Sequence, residues 1–125
     1  MPRKSQLKHF PDRKISETFL EFAQPLLLML GPDATEEQME APLKLAFTAW
    51  NAVVYEVANG DTRFLDMLHE LTAAEPEVTA IMEQMIARKR NLYADDYRVI
   101  GQFKLTRKNG EVRLWAEARD PKPSN

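Results

Sequence analysis

The chain has 125 residues, of which 44% are hydrophobic and 29% charged, and its formal net charge is −2. This length and balance predict one globular domain that is large enough to form its own core. The sequence has no cysteine, which excludes disulfides and thiolate metal sites, and its most apolar stretch, FLEFAQPLLLML, is too short to cross a bilayer. We therefore expect a cytoplasmic protein without a membrane partner.

The first predicted element is a helix that follows a basic N-terminal segment. Residues 1–14 show no periodicity and predict a mobile tail, ahead of a folded domain at residues 15–120. Ser16 is the expected N-cap of the helix, and Pro25 is expected to kink it because proline has no N–H to donate. Helical spacing places on the core-facing side Ile15, Phe19, Phe22, Leu26 and Met29.

The end of this first helix is apolar on every side. Such a segment is typical of a helix that is buried all round, and in a small domain a second subunit often supplies part of the cover. The sequence therefore predicts a homodimer. The candidate self-association residues are Leu26, Leu27, Leu28, Met29 and Leu30.

A second helix is predicted from a capping box formed by Thr35 and Gln38. Pro42 is expected to separate a short leading turn from the main helix. One apolar stripe identifies this as the core helix, and it consists of Leu43, Ala46, Phe47, Trp50, Val53, Val54 and Val57.

Two further helices are predicted before the pattern changes. Asp61 is the expected cap of a short third helix, whose inward residues are Phe64, Met67, Leu68 and Leu71. Pro76 is expected in the first turn of the fourth helix, where a missing N–H has no effect. The apolar stripe of the fourth helix consists of Val78, Ile81, Met82, Met85, Ile86, Leu92 and Tyr93.

After residue 96 the apolar period changes from 3.6 to 2, and Asn109-Gly110 predicts a tight β-hairpin turn. This turn pairs Leu105 with Leu114 and Lys104 with Trp115. The result is an α+β fold of about four helices followed by a C-terminal antiparallel hairpin, with residues 121–125 as a disordered tail. On the polar face of the hairpin, the candidate contact residues for a nucleic-acid base or a protein partner are Trp115, Lys104, Arg113 and Arg119.

A charged residue lies on the core-facing line of the fourth helix. Lys89 falls between Met82, Met85 and Tyr93 on a helical wheel, and Asp96 lies seven residues further along the same line. A charge in this position must be paired or line a cavity. We expect a buried ion pair between Lys89 and Asp96; the alternative is a small-molecule or catalytic pocket that contains these two residues with Arg88.

Charge is strongly segregated along the chain. The net charge is +4 in residues 1–14, −11 in residues 15–86 and +5 in residues 87–125. The basic ends can attract the acidic middle, within one chain or between two copies, or they can bind an anionic partner.

No phosphate-binding glycine loop, nucleophile motif or zinc-ligand spacing occurs in the sequence, so we expect no cofactor and no metal. The segment ARKRNLYADDYRVIGQF, after the helix that contains WNAVVYE, resembles small bacterial domains of unknown function over most of residues 15–119. The favoured function is a non-enzymatic interaction module that self-associates. The alternatives are weak nucleic-acid binding through the basic tail and hairpin, and an enzyme or ligand-binding protein that uses Lys89 and Asp96.

Overall fold

A computed structural model describes residues 14–108 and 111–121. It contains the helices α1 (Ile15–Leu30), α2 (Glu36–Asn59), α3 (Arg63–Thr72) and α4 (Pro76–Leu92) and the strands β1 (Val99–Lys108) and β2 (Glu111–Arg119). The strands form a two-stranded antiparallel sheet, so the predicted α+β fold is confirmed. Residues 1–13 and 122–125, where the two tails were predicted, and the predicted turn at Asn109-Gly110 lie outside the described residues.

The core surrounds the middle of α2, which packs against the other three helices and β1. The Trp50 ring is fully buried, with ring centroids 5.1 Å from Phe22 of α1 and 5.5 Å from Tyr93 after α4. Its indole N–H donates to the backbone carbonyl of Arg98 at 2.8 Å. One side chain of α2 thus joins two helices and the entry to the hairpin.

Local signals at the helix starts are only partly confirmed. The capping box of Thr35 and Gln38 is present in both directions. Ser16 is not an N-cap, because α1 already begins at Ile15 and the Ser16 hydroxyl bonds to the hairpin instead. The N-cap position of α3 is held by Thr62 and not by Asp61. The Asp61 carboxylate nevertheless accepts the backbone N–H of Arg63 at 3.0 Å.

Both internal prolines lie inside continuous helices. The prediction that Pro42 separates a short turn from a main helix is wrong, because α2 runs unbroken from Glu36 to Asn59. Met39 and Leu43 are both buried, one turn apart on the same face of α2. Their burial, together with the capping box at the start, offsets the hydrogen bond that proline removes.

The hairpin register is as predicted, with Leu105 opposite Leu114 and Lys104 opposite Trp115. The regular alternation of inward and outward residues predicted for β1 is interrupted, because the pairing with β2 shifts by one residue between Ile100 and Gln102. Gly101 is the extra residue of this bulge. As a result the consecutive residues Val99 and Ile100 are both buried.

Each strand is attached to a helix by one polar side chain. The Asn51 amide of α2 donates to the carbonyl of Ile100 and accepts its N–H, both at 2.8 Å. The Ser16 hydroxyl of α1 accepts the N–H of Ala116 at 2.8 Å and lies 3.3 Å from its carbonyl. An isolated hairpin is marginally stable, and these bonds fix this one to the helical layer.

Several apolar residues predicted to face the core are exposed instead. Met29, Val57, Leu71 and Leu92 have exposed fractions of 67%, 53%, 70% and 57%, and each lies in the last turn of its helix. Helical periodicity identifies a face but does not show where the neighbouring element ends. Met67 is also exposed, and Leu65 and Leu68 form the buried side of α3.

None of the helices within the described ranges combines the length and apolar content that crossing a membrane requires.

Candidate functional site

An apolar groove lies at one end of the helical layer. The groove has a volume of about 470 Å³. It lies where α1 and α3 end and α2 and α4 begin, and residues from all four helices line it. We call it the apolar groove; its main apolar lining residues are Leu26, Met29, Leu30, Leu45, Leu71 and Ile81.

The predicted self-association segment forms one side of this groove. Leu26 is buried and Leu27 is half-buried against the core, whereas Leu28, Met29 and Leu30 reach the surface. Leu28 is 71% exposed. Met29 and Leu30 line the groove together with Leu71 on α3, and exposed apolar surface of this kind marks interaction sites.

The elements around the apolar groove carry acidic residues. Glu40 precedes the α2 lining, Glu70 adjoins Leu71 on α3, and Glu75 and Glu77 lie at the start of α4, all exposed. Lys44 is the one charged residue in the described lining. A partner for this groove should therefore combine apolar side chains with positive charge.

Lys89 of α4 is buried in the core, with 2% of its surface exposed. Its ammonium donates to the backbone carbonyls of Tyr93 at 2.7 Å and Asp96 at 2.8 Å. It also lies over the Trp50 ring, 4.3 Å from the ring centroid, where a cation is stabilised by the π electrons. Burial lowers the pKa of Lys89 to about 8, against an opposing effect of the nearby Asp96.

The carboxylate of Asp96 does not bond to the lysine. Asp96 is itself buried, and its two oxygens accept the Arg98 guanidinium at 2.6 and 2.9 Å. One of them also accepts the backbone N–H of Arg98 at 3.2 Å. The sequence thus predicted the burial of Lys89 correctly, but its bonded partners are carbonyls of the segment that follows α4. The lysine joins that segment to the core.

A cleft of about 230 Å³ reaches Lys89 from the surface. Val57, Ala94 and Tyr97 line it, with Asp95 rather than Asp96 on its wall. Because two carbonyls already hold the ammonium inside the core, this geometry supports a structural role for the lysine better than a catalytic one.

Arg88 lies on the other side of α4 and bonds to α1. Its guanidinium donates to the carbonyls of Glu21 and Phe22, both at 3.0 Å. It also lies 5.8 Å from the centroid of the Tyr93 ring, and the Tyr93 hydroxyl donates to the carboxylate of Glu21 at 2.7 Å. Arg88 is therefore part of the α1–α4 interface and separate from the cleft beside Lys89. The sequence signal that could have identified this role is Pro25, four residues after Glu21.

The outer face of the hairpin carries the predicted surface cluster only in part. Trp115 is 50% exposed and pairs with Lys104 across the strands. Arg113 lies 3.5 Å from the carboxylate of Glu111. Arg119 lies apart from Trp115, against the bulge, and contacts Glu117 at 3.2 Å. Positive and negative groups alternate here, so the face is less suited to a phosphate backbone than the sequence alone suggested.

In residues 14–108 and 111–121, histidine, aspartate and glutamate side chains form no cluster of three that could hold a metal ion. Comparison with known proteins identifies no relationship: no protein-family model, no curated protein and no solved structure matches this chain.

Proposed function

We propose that the protein is a small self-associating interaction module of the cytoplasm, in which a second copy covers the apolar groove. The observation that carries this proposal is the exposure of Met29, Leu30 and Leu71 around one concave surface. Burying side chains of this size contributes about 1–2 kcal/mol each when most of their surface is removed from water. Together they supply a substantial part of the free energy of a weak to moderate dimer.

The charge distribution favours a second copy as the occupant. Residues 15–86, which form α1 to α3 and most of α4, carry a net charge of −11, and the two ends of the chain carry +4 and +5. Two acidic groove rims that faced each other would repel. A basic end of one copy that lies against the acidic groove of the other is attracted to it instead. The same chain provides both of these complementary surfaces.

Sedimentation velocity at tens of micromolar, at low and high salt, tests this proposal. We expect a dimer that weakens as salt rises, because screening reduces the charge attraction and leaves the apolar contact. Leu71→Glu should shift the protein to monomer. Leu92→Glu is the matched control, because Leu92 is also an exposed leucine at a helix end but does not line the groove.

A wild-type protein that stays monomeric at all salt concentrations overturns the proposal. If wild type and Leu71→Glu dimerise equally, the apolar groove is not the dimer interface. The resemblance to small bacterial domains of unknown function remains a prediction.

A further inference from the structure

A second concavity lies between the middle of α2, the start of α3 and the bulged end of the hairpin. Its volume is about 390 Å³, within the range of small-molecule sites. Its walls include three half-buried aromatic rings, those of Phe47 and Tyr55 on α2 and Phe64 on α3. The Tyr55 and Phe64 rings are stacked with centroids 4.9 Å apart. This pocket, which we call the aromatic pocket, offers flat apolar surfaces to a planar ligand.

Two polar side chains in its wall, those of Thr48 and Asn51, are already bonded. The Asn51 amide is occupied by the backbone of Ile100, and the Thr48 hydroxyl donates to the Lys44 carbonyl at 2.8 Å. These groups shape the pocket, and they leave the charged groups at its edge, Arg119 and Asp120, to select a ligand.

Arg119 is positioned by the bulge. An added Cβ at Gly101 would clash with the Arg119 Nε, so the arginine side chain crosses this residue where the backbone has no side chain. Arginine has five N–H donors. Among the described residues, the contact with Glu117 at 3.2 Å is the one bond this guanidinium makes. The remaining donors are available at the edge of the aromatic pocket.

We propose that the aromatic pocket binds a small aromatic carboxylic acid, with its ring among Phe47, Tyr55 and Phe64 and its carboxylate on Arg119. A guanidinium forms a bidentate pair with a carboxylate, through two parallel N–H···O hydrogen bonds. Glu117 and Asp120 lie close to this arginine, so a singly charged acid is favoured over a doubly charged phosphate. This proposal does not depend on self-association, because the groove and the pocket share only Thr48 among their described lining residues.

Titration of the ¹⁵N-labelled protein with 3-phenylpropionate tests the proposal. We expect the amide signals of Phe64 and Gly101 to shift, with a dissociation constant on the order of 1 mM for a ligand this small. The uncharged analogue 3-phenylpropionamide and the doubly charged phenyl phosphate should each bind at least about fivefold more weakly. Arg119→Gln should weaken 3-phenylpropionate about tenfold, as expected for a lost ion pair.

Arg113→Gln is the matched control. It removes an arginine of similar exposure, 63% against 61%, from the same strand, and it should leave binding unchanged. No shifts at the pocket, equal affinity for the acid and its amide, or unchanged binding to Arg119→Gln each overturns the proposal. Because Arg119 is exposed, its replacement should leave the fold intact, and the dispersion of the spectrum verifies this.

Discussion

The guanidinium of Arg88 donates to the carbonyl of Glu21 at 3.0 Å. In a regular helix that carbonyl would accept the backbone N–H of residue 25. Residue 25 is a proline and has no N–H. A side chain on α4 therefore supplies the donor that the sequence of α1 lacks, which explains how α1 continues through Pro25.

This relationship predicts coupling between positions 25 and 88. Arg88→Met should destabilise the protein by about 1–2 kcal/mol, because the carbonyls of Glu21 and Phe22 lose a charged donor. In a Pro25→Ala background the restored N–H satisfies Glu21, and Arg88→Met should be milder by at least about 0.5 kcal/mol. Urea unfolding of the four proteins measures both effects. Strict additivity would show that the arginine does not compensate for the proline.

Replacing Lys89 by methionine should destabilise the fold by about 1–3 kcal/mol at neutral pH. Methionine keeps the length and the apolar character of the lysine stem but leaves the carbonyls of Tyr93 and Asp96 without this donor. Arg90→Met is the control on the same helix. Arg90 forms an ion pair with Glu56 at 2.7 Å and is 47% exposed, so its loss should cost less than about 1 kcal/mol. A Lys89→Met variant that unfolds like wild type would make this lysine a candidate for ligand binding.

The buried lysine also predicts a pH dependence of stability. Its pKa is lowered by burial from 10.5 to about 8, so between these values the unfolded chain binds a proton that the native state does not. Stability should therefore rise with pH across this window, by up to about 3 kcal/mol for this group. Neutral Lys89 still has two N–H donors for its two carbonyls.

Unfolding free energies of wild type and Lys89→Met, compared from pH 8 to 10.5, isolate this contribution. Other groups titrate equally in both proteins, so the difference between the two should widen as pH rises. A constant difference would contradict the lowered pKa.

Asn51 should be the most sensitive hairpin contact. Asn51→Leu removes both bonds to the backbone of Ile100 and should destabilise the protein by about 2–4 kcal/mol. Asn91→Leu, at an exposed position of α4, is the control and should stay within about 0.5 kcal/mol. Hydrogen exchange adds a local measurement, because the amide of Ile100 should lose protection more than amides in α4.

Nucleic-acid binding should be weak at most. Trp115 and Lys104 form an exposed pair, but Glu111 and Glu117 lie beside the neighbouring arginines and the acidic helices oppose a phosphate backbone. A gel shift with single- and double-stranded oligonucleotides at low salt measures this. A submicromolar, salt-sensitive complex that disappears in Trp115→Ala would make nucleic-acid binding the favoured function in place of self-association.

Features encoded within a few residues were predictable from the sequence. The capping box at Thr35 and Gln38 and the register of Lys104 with Trp115 both depend on short sequence separation, and both are present. Apolar spacing also identified the core helix around Trp50. These signals are local because the atoms that satisfy them are neighbours in the chain.

Features that depend on distant neighbours were not predictable. Periodicity placed Lys89 in the core, but it could not show that backbone carbonyls would bind its ammonium. It also assigned Met29 and Leu71 to the core, since it contains no information on where the packing partner ends. Arg88 was grouped with Lys89 because they are adjacent in sequence, although the two side chains bond to different parts of the fold.

The bond between Ser16 and Ala116 joins residues 100 positions apart. It places the first turn of α1 next to β2, at the same side of the molecule. A short linker between residues 14 and 120 should therefore permit circular permutation, with new termini opened in an exposed loop such as the one between α3 and α4. For the same reason, labels attached at residues 14 and 120 should report a short distance that lengthens only when the hairpin leaves α1.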